Sequence, residues 1–265
     1  MKNISGIINT VKKSSPILFY IVVIHMLLGT ASFIGYFIDP RTLMGISVWT
    51  KPIKFCLSGG IYIFTIGYMS TLYPYSKLKK NIINNMVSWT MLIEIFIIVF
   101  QASRGVQSHY NHTTAFDGFL FTSMGYLIGV NVFVMFVFLV DTFRLKLKVS
   151  RPVQWAIAIG WVVVIGGCWA GGKMIGQMAH TVGMADGGPG IPFLNWSSVA
   201  GDLRIAHCFG LHAIQIIPLF AWFVTTKQHL IYKNHTLITV IFGLLYARWV
   251  GFTFYNASQA LPLFS

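Results

Sequence analysis

Residues 173–215 read KMIGQMAHTVGMADGGPGIPFLNWSSVAGDLRIAHCFGLHAIQ. The stretch holds Asp186 and Asp202, two of the chain's six acids, together with His180, His207, His212, Arg204 and a Gly-Pro cluster at 186–190. Apolar runs flank it, 152–172 before it and 205–225 running out of its end. Each run holds about 20 residues, the length a helix needs to cross ~30 Å of hydrocarbon. The polar stretch therefore reads as a loop joining two membrane helices, and the DGGPG run, rich in glycine that tolerates unusual dihedrals, predicts a tight and structured one.

Outward from this loop the same pattern repeats. Apolar runs at 17–38, 53–73, 86–103, 117–140, 152–172, 205–225 and 237–254 predict an all-α, seven-transmembrane-helix bundle. The whole chain, 1–265, reads as one integral membrane domain with a long structured loop between helices 5 and 6. Composition agrees: 55% of residues are hydrophobic, 9% are charged and the mean hydropathy is +0.70. A soluble domain carries about 25% charge, so that class is excluded. The net charge of +13 is spread over the flanks of the runs rather than gathered on one face, which excludes nucleic acid as a partner and leaves the lipid bilayer. Cys56, Cys168 and Cys208 fall in apolar segments without a CxxC pair and read as buried thiols. The basic start (Lys2, Lys12, Lys13) precedes a run too long for a signal peptide and without a small-residue cleavage site, so the first run reads as a retained helix.

Charge sets the orientation. Seven spans place the N-terminus and the 74–85, 141–151 and 226–236 loops on one side, with Lys2, Lys12, Lys13, Lys77, Lys79, Lys80, Arg144, Lys146, Lys148, Arg151, Lys227 and Lys233. The positive-inside rule makes that side cytoplasmic and the C-terminus extracytoplasmic. In a bacterium this is the cytoplasmic (inner) membrane. The other side holds Arg41, Lys51, Lys54, Arg104, Lys173, Arg204 and Arg248 with four of the six acids, Asp39, Asp117, Asp186 and Asp202. Cations that work against the topology rule ask for another purpose.

Two readings of these residues stay open. Lys51, Lys54, Arg104, Arg204 and Arg248, with Asn111, His212 and Gln215, form a candidate site for an anionic small molecule or lipid head group, since arginine grips carboxylate and phosphate with a planar fork. The structural alternative is internal pairing, Arg204 with Asp202 and Arg104 with Asp117. His109, Asp117, His180, Asp186, Asp202 and His207 form a candidate acid–base set for hydrolysis. His109, His112, His180 and His207 are the candidate ligands of a divalent metal such as zinc. The alternative for each loop histidine is a plain hydrogen bond, and Asp202 doubles as a helix N-cap. His25 and Glu94, each about 12 Å from the cytoplasmic ends of the first and third helices, are expected to form a buried polar pair. Gly167 with Gly171, and Gly172 with Gly176, are GxxxG pairs on the fifth helix, suited to internal packing or to a homodimer.

The segments KPIKF (51–55), QASRGVQSHYN (101–111), HTVGMADGGPG (180–190) and GDLRIAHCFGLHAIQ (201–215) resemble a group of uncharacterised bacterial multi-pass inner-membrane proteins, a resemblance that brings no activity with it. The outline is also similar to the seven-helix membrane hydrolases that include alkaline ceramidases and progestin-and-adipoQ receptors. Those carry HxxxH on their last helix, which here has no histidine within its apolar run. Microbial rhodopsins need a lysine deep in the last helix, where this chain offers only Arg248. Three classes stay open: an enzyme, metal-assisted or not, acting on lipid or a small anion; a transporter, receptor or channel for a small anion; and a protein binding haem b or quinone, whose paired histidines and nearby arginines would suit iron and propionates.

Overall fold

A computed structural model describes residues 4–226 and 234–263, so Lys2, Lys227 and Lys233 of the topology argument lie outside the described residues. The chain is all-helical, with eight helices among the described residues: α1 Ile4–Ser14, α2 Pro16–Ile38, α3 Thr50–Met69, α4 Lys77–Ser103, α5 Ala115–Arg144, α6 Arg151–Gln177, α7 Leu203–Thr226 and α8 His235–Ser258. Six of them (α2, α4, α5, α6, α7 and α8) are long and apolar enough to cross a membrane. The remaining expected run, 53–73, became α3, which is not among the six, because Lys51, Lys54, Ser58 and three glycines dilute its hydrocarbon.

Several helices outrun their apolar cores. α4 starts at Lys77, nine residues before the expected 86, because Ser76 caps it by accepting from Lys79 N at 3.2 Å. α6 runs to Gln177 and stops where Met178 turns left-handed. α1 was not expected. Its Ile4, Ile7, Ile8 and Val11 recur at helical spacing, and Val11 is fully buried against Gly67 of α3, while Lys12 and Lys13 lie in its last turn.

The chain divides into two compact units, Met1–Val134 and Met135–Ser265, with the boundary inside α5. In the first unit α2, α3 and α4 pack together, and a two-residue hairpin joins α2 to α3: β1 Thr42–Leu43 pairs antiparallel with β2 Ile46–Ser47. Its turn residues Met44 and Gly45 both have positive φ, as a type I′ turn requires. In the second unit α6 and α7 make the tightest seam. A Cβ added to Gly167 would stand 2.8 Å from Gly210 Cα, so both glycines are needed for the backbones to approach. Gly172 and Gly176, the second GxxxG pair, would meet nothing within 4 Å. The 178–202 connection is pinned by β3 Thr181–Val182 against β4 Gly201–Asp202 and by a bridge between Gly190 and Ser197.

Candidate functional site

In the first unit, the polar residues gather where α2 ends, α3 begins, α4 ends and α5 begins. Asp39 follows α2 and takes Arg41 as a fork: Nε at 3.0 Å, Nη2 at 2.7 Å and the backbone N at 3.1 Å. Trp49 Nε1 donates to the same carboxylate at 2.8 Å, and Arg41 Nη1 reaches Ser103 O at 3.1 Å. The Arg41 guanidinium and the Trp49 indole hold the Asp39 carboxyl well below the usual carboxylate range.

Asp117 organises the neighbouring loop. Thr114 and Asp117 bond reciprocally, Asp117 N to Thr114 Oγ1 at 3.1 Å and the hydroxyl to Asp117 Oδ2 at 2.7 Å, so Thr114 caps the start of α5. Asp117 Oδ1 accepts from Arg104 at 2.6 Å and from buried Gln101 at 2.9 Å. Arg104 also lies over the rings of Phe100 and Phe116, 5.6 and 5.4 Å from their centroids. Asn111 spans its own turn, donating to Gln107 O and accepting from Thr113. His109 Nδ1 meets Ser108 Oγ at 3.1 Å, with Phe55, Tyr110 and Phe121 around its ring. His112 packs on Phe121, and Lys51 lies over the Phe55 ring.

The second unit concentrates its polar groups in the 178–202 loop. Asp202 stands just before α7 and accepts from Arg204 N and Nε, both at 2.9 Å, and from Ser197 N at 2.8 Å. Arg204 Nη2 closes the pair at 2.6 Å and also bonds Asn195 O. Asp186 is the hub of the other half. It accepts from the backbone N of His180 and Thr181 at 3.0 and 2.9 Å, from Thr181 Oγ1 at 2.7 Å and from His180 Nδ1 at 2.5 Å. Burial pushes the Asp186 carboxyl up, but the His180 and Thr181 bonds outweigh it and hold the group below the usual carboxylate range. A small recess beside this hub is lined by Thr181, Met184, Gly187, Asn195, Ser197 and Arg204.

The remaining expected residues are placed otherwise. His207 donates Nδ1–H to Gly167 O at 2.8 Å and lies over Gly171, so it is part of the α6–α7 seam. His212 bonds Gln215 one turn along α7. Arg248 is exposed on α8. Among the described residues no group of three or more His, Cys, Asp and Glu side chains could hold a metal ion; His109 and His112 belong to the first unit, His180 and His207 to the second.

The His25–Glu94 pair does not form either. His25 Nδ1 bonds Ile21 O at 2.9 Å, and both His25 Nε2 and Glu94 Oε2 lack a partner. The two residues share a height, since Asn84 of α4 bonds Ser15 at the foot of α2 and each sits ten further on, but Glu94 lies 17 residues into α4, which starts at Lys77, and not eight as a start at 86 would give. Ten residues, however, fall about 80° short of three turns, and in parallel helices that rotation carries facing side chains to opposite flanks. His25 faces Gly59 and Met91 instead: a Cβ on Gly59 would lie 3.2 Å from the ring. Sequence reasoning missed Arg41 with Asp39 as a pair, and it missed Trp49; the D-P-R spacing at 39–41 was the available signal. No protein-family model, curated protein or solved structure matches the chain.

Proposed function

We propose that the protein is a seven-span enzyme of the bacterial cytoplasmic membrane, N-terminus inside and C-terminus outside, of the group its motifs resemble. The 178–202 loop of the second unit works as an outer acid–base site on a lipid or small anionic substrate. The six apolar helices support the membrane reading, and α3, at 20 residues, has the ~30 Å needed for a seventh span. Gly172 and Gly176 leave room on α6 for a second copy.

One observation carries the enzymatic part: the Asp186 carboxylate holds His180 through Nδ1. With Asp186 ionised the ring proton sits on Nδ1, which makes Nε2 the basic nitrogen, and the two backbone bonds fix the carboxylate that orients the ring. Such a histidine can take a proton from water or a substrate hydroxyl and return it to a leaving group. The recess beside Thr181 and Asn195 has room for about one water molecule near this pair. Anion transport is less well supported, because Arg41, Arg104 and Arg204 already hold aspartates, and an incoming anion would have to displace a carboxylate from each.

The test is turnover in nanodiscs of defined phospholipids, with a short-chain ester as second substrate and products followed by mass spectrometry. His180→Gln is expected to abolish product formation. Asp186→Asn, which favours the wrong tautomer, lowers the rate by on the order of 10³-fold or more. Turnover that survives His180→Gln, or wild-type protein inactive on every probe, overturns the reading.

A further inference from the structure

The first unit holds a second set of buried polar groups that takes no part in this acid–base site. On α4, Thr90, Glu94 and Gln101 are buried and fall within about 40° of arc over ~16 Å of rise. Both ends of this stripe are hydrogen-bonded. Gln101 bonds Asp117 and Arg104. Thr90 Oγ1 accepts from Asn131 Nδ2 at 2.8 Å, and Asn131 Oδ1 accepts from Tyr62 at 3.2 Å, which links α4, α5 and α3. Glu94 stands between them, 7% exposed, with Oε2 unpartnered. A carboxyl kept for structure in hydrocarbon would have both oxygens satisfied.

We propose that Glu94 is a proton-binding site that carries protons across the first unit along this face of α4. A hydronium from one aqueous phase gives its proton to Glu94 Oε2, leaving water and a neutral carboxylic acid. The acid then releases the proton to water on the other side and becomes a carboxylate again. One proton moves per cycle, driven by the electrochemical gradient, and no bond other than O–H is made or broken. Charged and titratable groups stand on each neighbouring element: Lys51, Lys54 and Cys56 on α3, His25 on α2, and Asp117 with its partner Arg104 at the α5 end. Lys51 is close enough to act on the carboxyl electrostatically and supplies the opposite charge when Glu94 is ionised. The Thr90–Asn131–Tyr62 line gives the proton hydrogen-bonding oxygens on one side of Glu94, and Gln101 with Asp117 gives them on the other.

The full chain is reconstituted in liposomes loaded with a pH-sensitive dye, and a potassium diffusion potential is imposed with valinomycin. Wild-type vesicles are expected to change internal pH several-fold faster than protein-free ones. Glu94→Gln removes the excess rate, Glu94→Asp keeps part of it, and Asn131→Leu lowers it. Infrared difference spectra of wild-type protein, titrated from acid to alkali, should show a carboxylic-acid C=O band that Glu94→Gln deletes. Wild-type vesicles no faster than protein-free ones, Glu94→Gln vesicles at the wild-type rate, or no such band at any pH overturns the proposal. The infrared measurement on wild type decides the case even if a variant fails to fold.

Discussion

Asp39-Pro40-Arg41 in the first unit and Asp202-Leu203-Arg204 in the second are the same device in different surroundings. In each, the carboxylate accepts from the backbone N and from Nε and Nη2 of the arginine two residues on. In each, another guanidinium bond ends on a distant carbonyl, Ser103 O for Arg41 and Asn195 O for Arg204. Water access separates them. The side chains of Arg41 and Asp39 are 48% and 16% exposed, those of Arg204 and Asp202 24% and 0%. The same Asp–Arg fork is thus a surface tie in one unit and a buried staple in the other. The comparison teaches that pairing alone does not rank these residues; desolvation does.

The largest effect should follow from breaking the buried staple. Asp202→Ala leaves Arg204 beside a low-dielectric wall without its counter-charge, strips Ser197 N of its acceptor and removes the cap of α7. Losing one partner of a buried pair costs about 3–5 kcal/mol, and since Arg204 retains some solvent the lower end, about 3 kcal/mol, is expected. Unfolding in detergent, followed by α-helical circular dichroism against denaturant, measures it. A loss no larger than that of Asp39→Ala would break the comparison.

The helices were largely legible in the sequence because hydrocarbon length is a one-dimensional property, and apolar runs record it. Helix ends were not, since α4 and α6 run past their apolar cores to caps and turns that hydropathy does not register. Height was legible too, as His25 and Glu94 show. Azimuth was misread for them, because the direction a side chain points depends on which flank of its helix meets a neighbour. The pairing of Arg104 with Asp117 and of Arg204 with Asp202 was one of two open readings. Chain proximity suggested both pairs, but only the folded loops could choose between an internal aspartate and an outside anion. The Asp186–His180 contact came from the 181–185 turn, where Gly183 has positive φ, folding the chain back over six residues, which no spacing rule announces.

That contact gives the next prediction, of intermediate size, and it extends the comparison to the second carboxylate of each unit: Asp117 holds an arginine, Asp186 a histidine. The Asp186 carboxyl is held below its ordinary value in the folded chain. A group shifted down in this way stabilises the fold at pH above its unfolded value, near ~4. That contribution is lost as pH falls through the folded value. Melting curves taken from neutral pH down to about pH 3 should therefore show a steeper acid loss for wild type than for Asp186→Asn, across the window below ~4. Parallel curves would mean the carboxylate is not anchoring the loop.

Asp39→Ala should have the smallest effect. Half of the Arg41 side chain is already in water, so the freed guanidinium can be rehydrated, and exposed pairs contribute little once side-chain entropy and screening are counted. Trp49 loses its acceptor, but its ring still rests on Gly35, where an added Cβ would stand only 2.8 Å away, and that packing does not depend on the carboxylate. The expected result is a slight fall in melting temperature. In wild type, the surface tie's contribution should shrink with added salt, because exposed charges are screened within ~8–10 Å at ordinary ionic strength. The Asp202–Arg204 staple should respond to salt far less. Measuring both variants at low and high salt separates the two cases. If the Asp39→Ala difference persists at high salt, then Trp49 and the Ser103 link, rather than the charge pair, hold that end of the first unit.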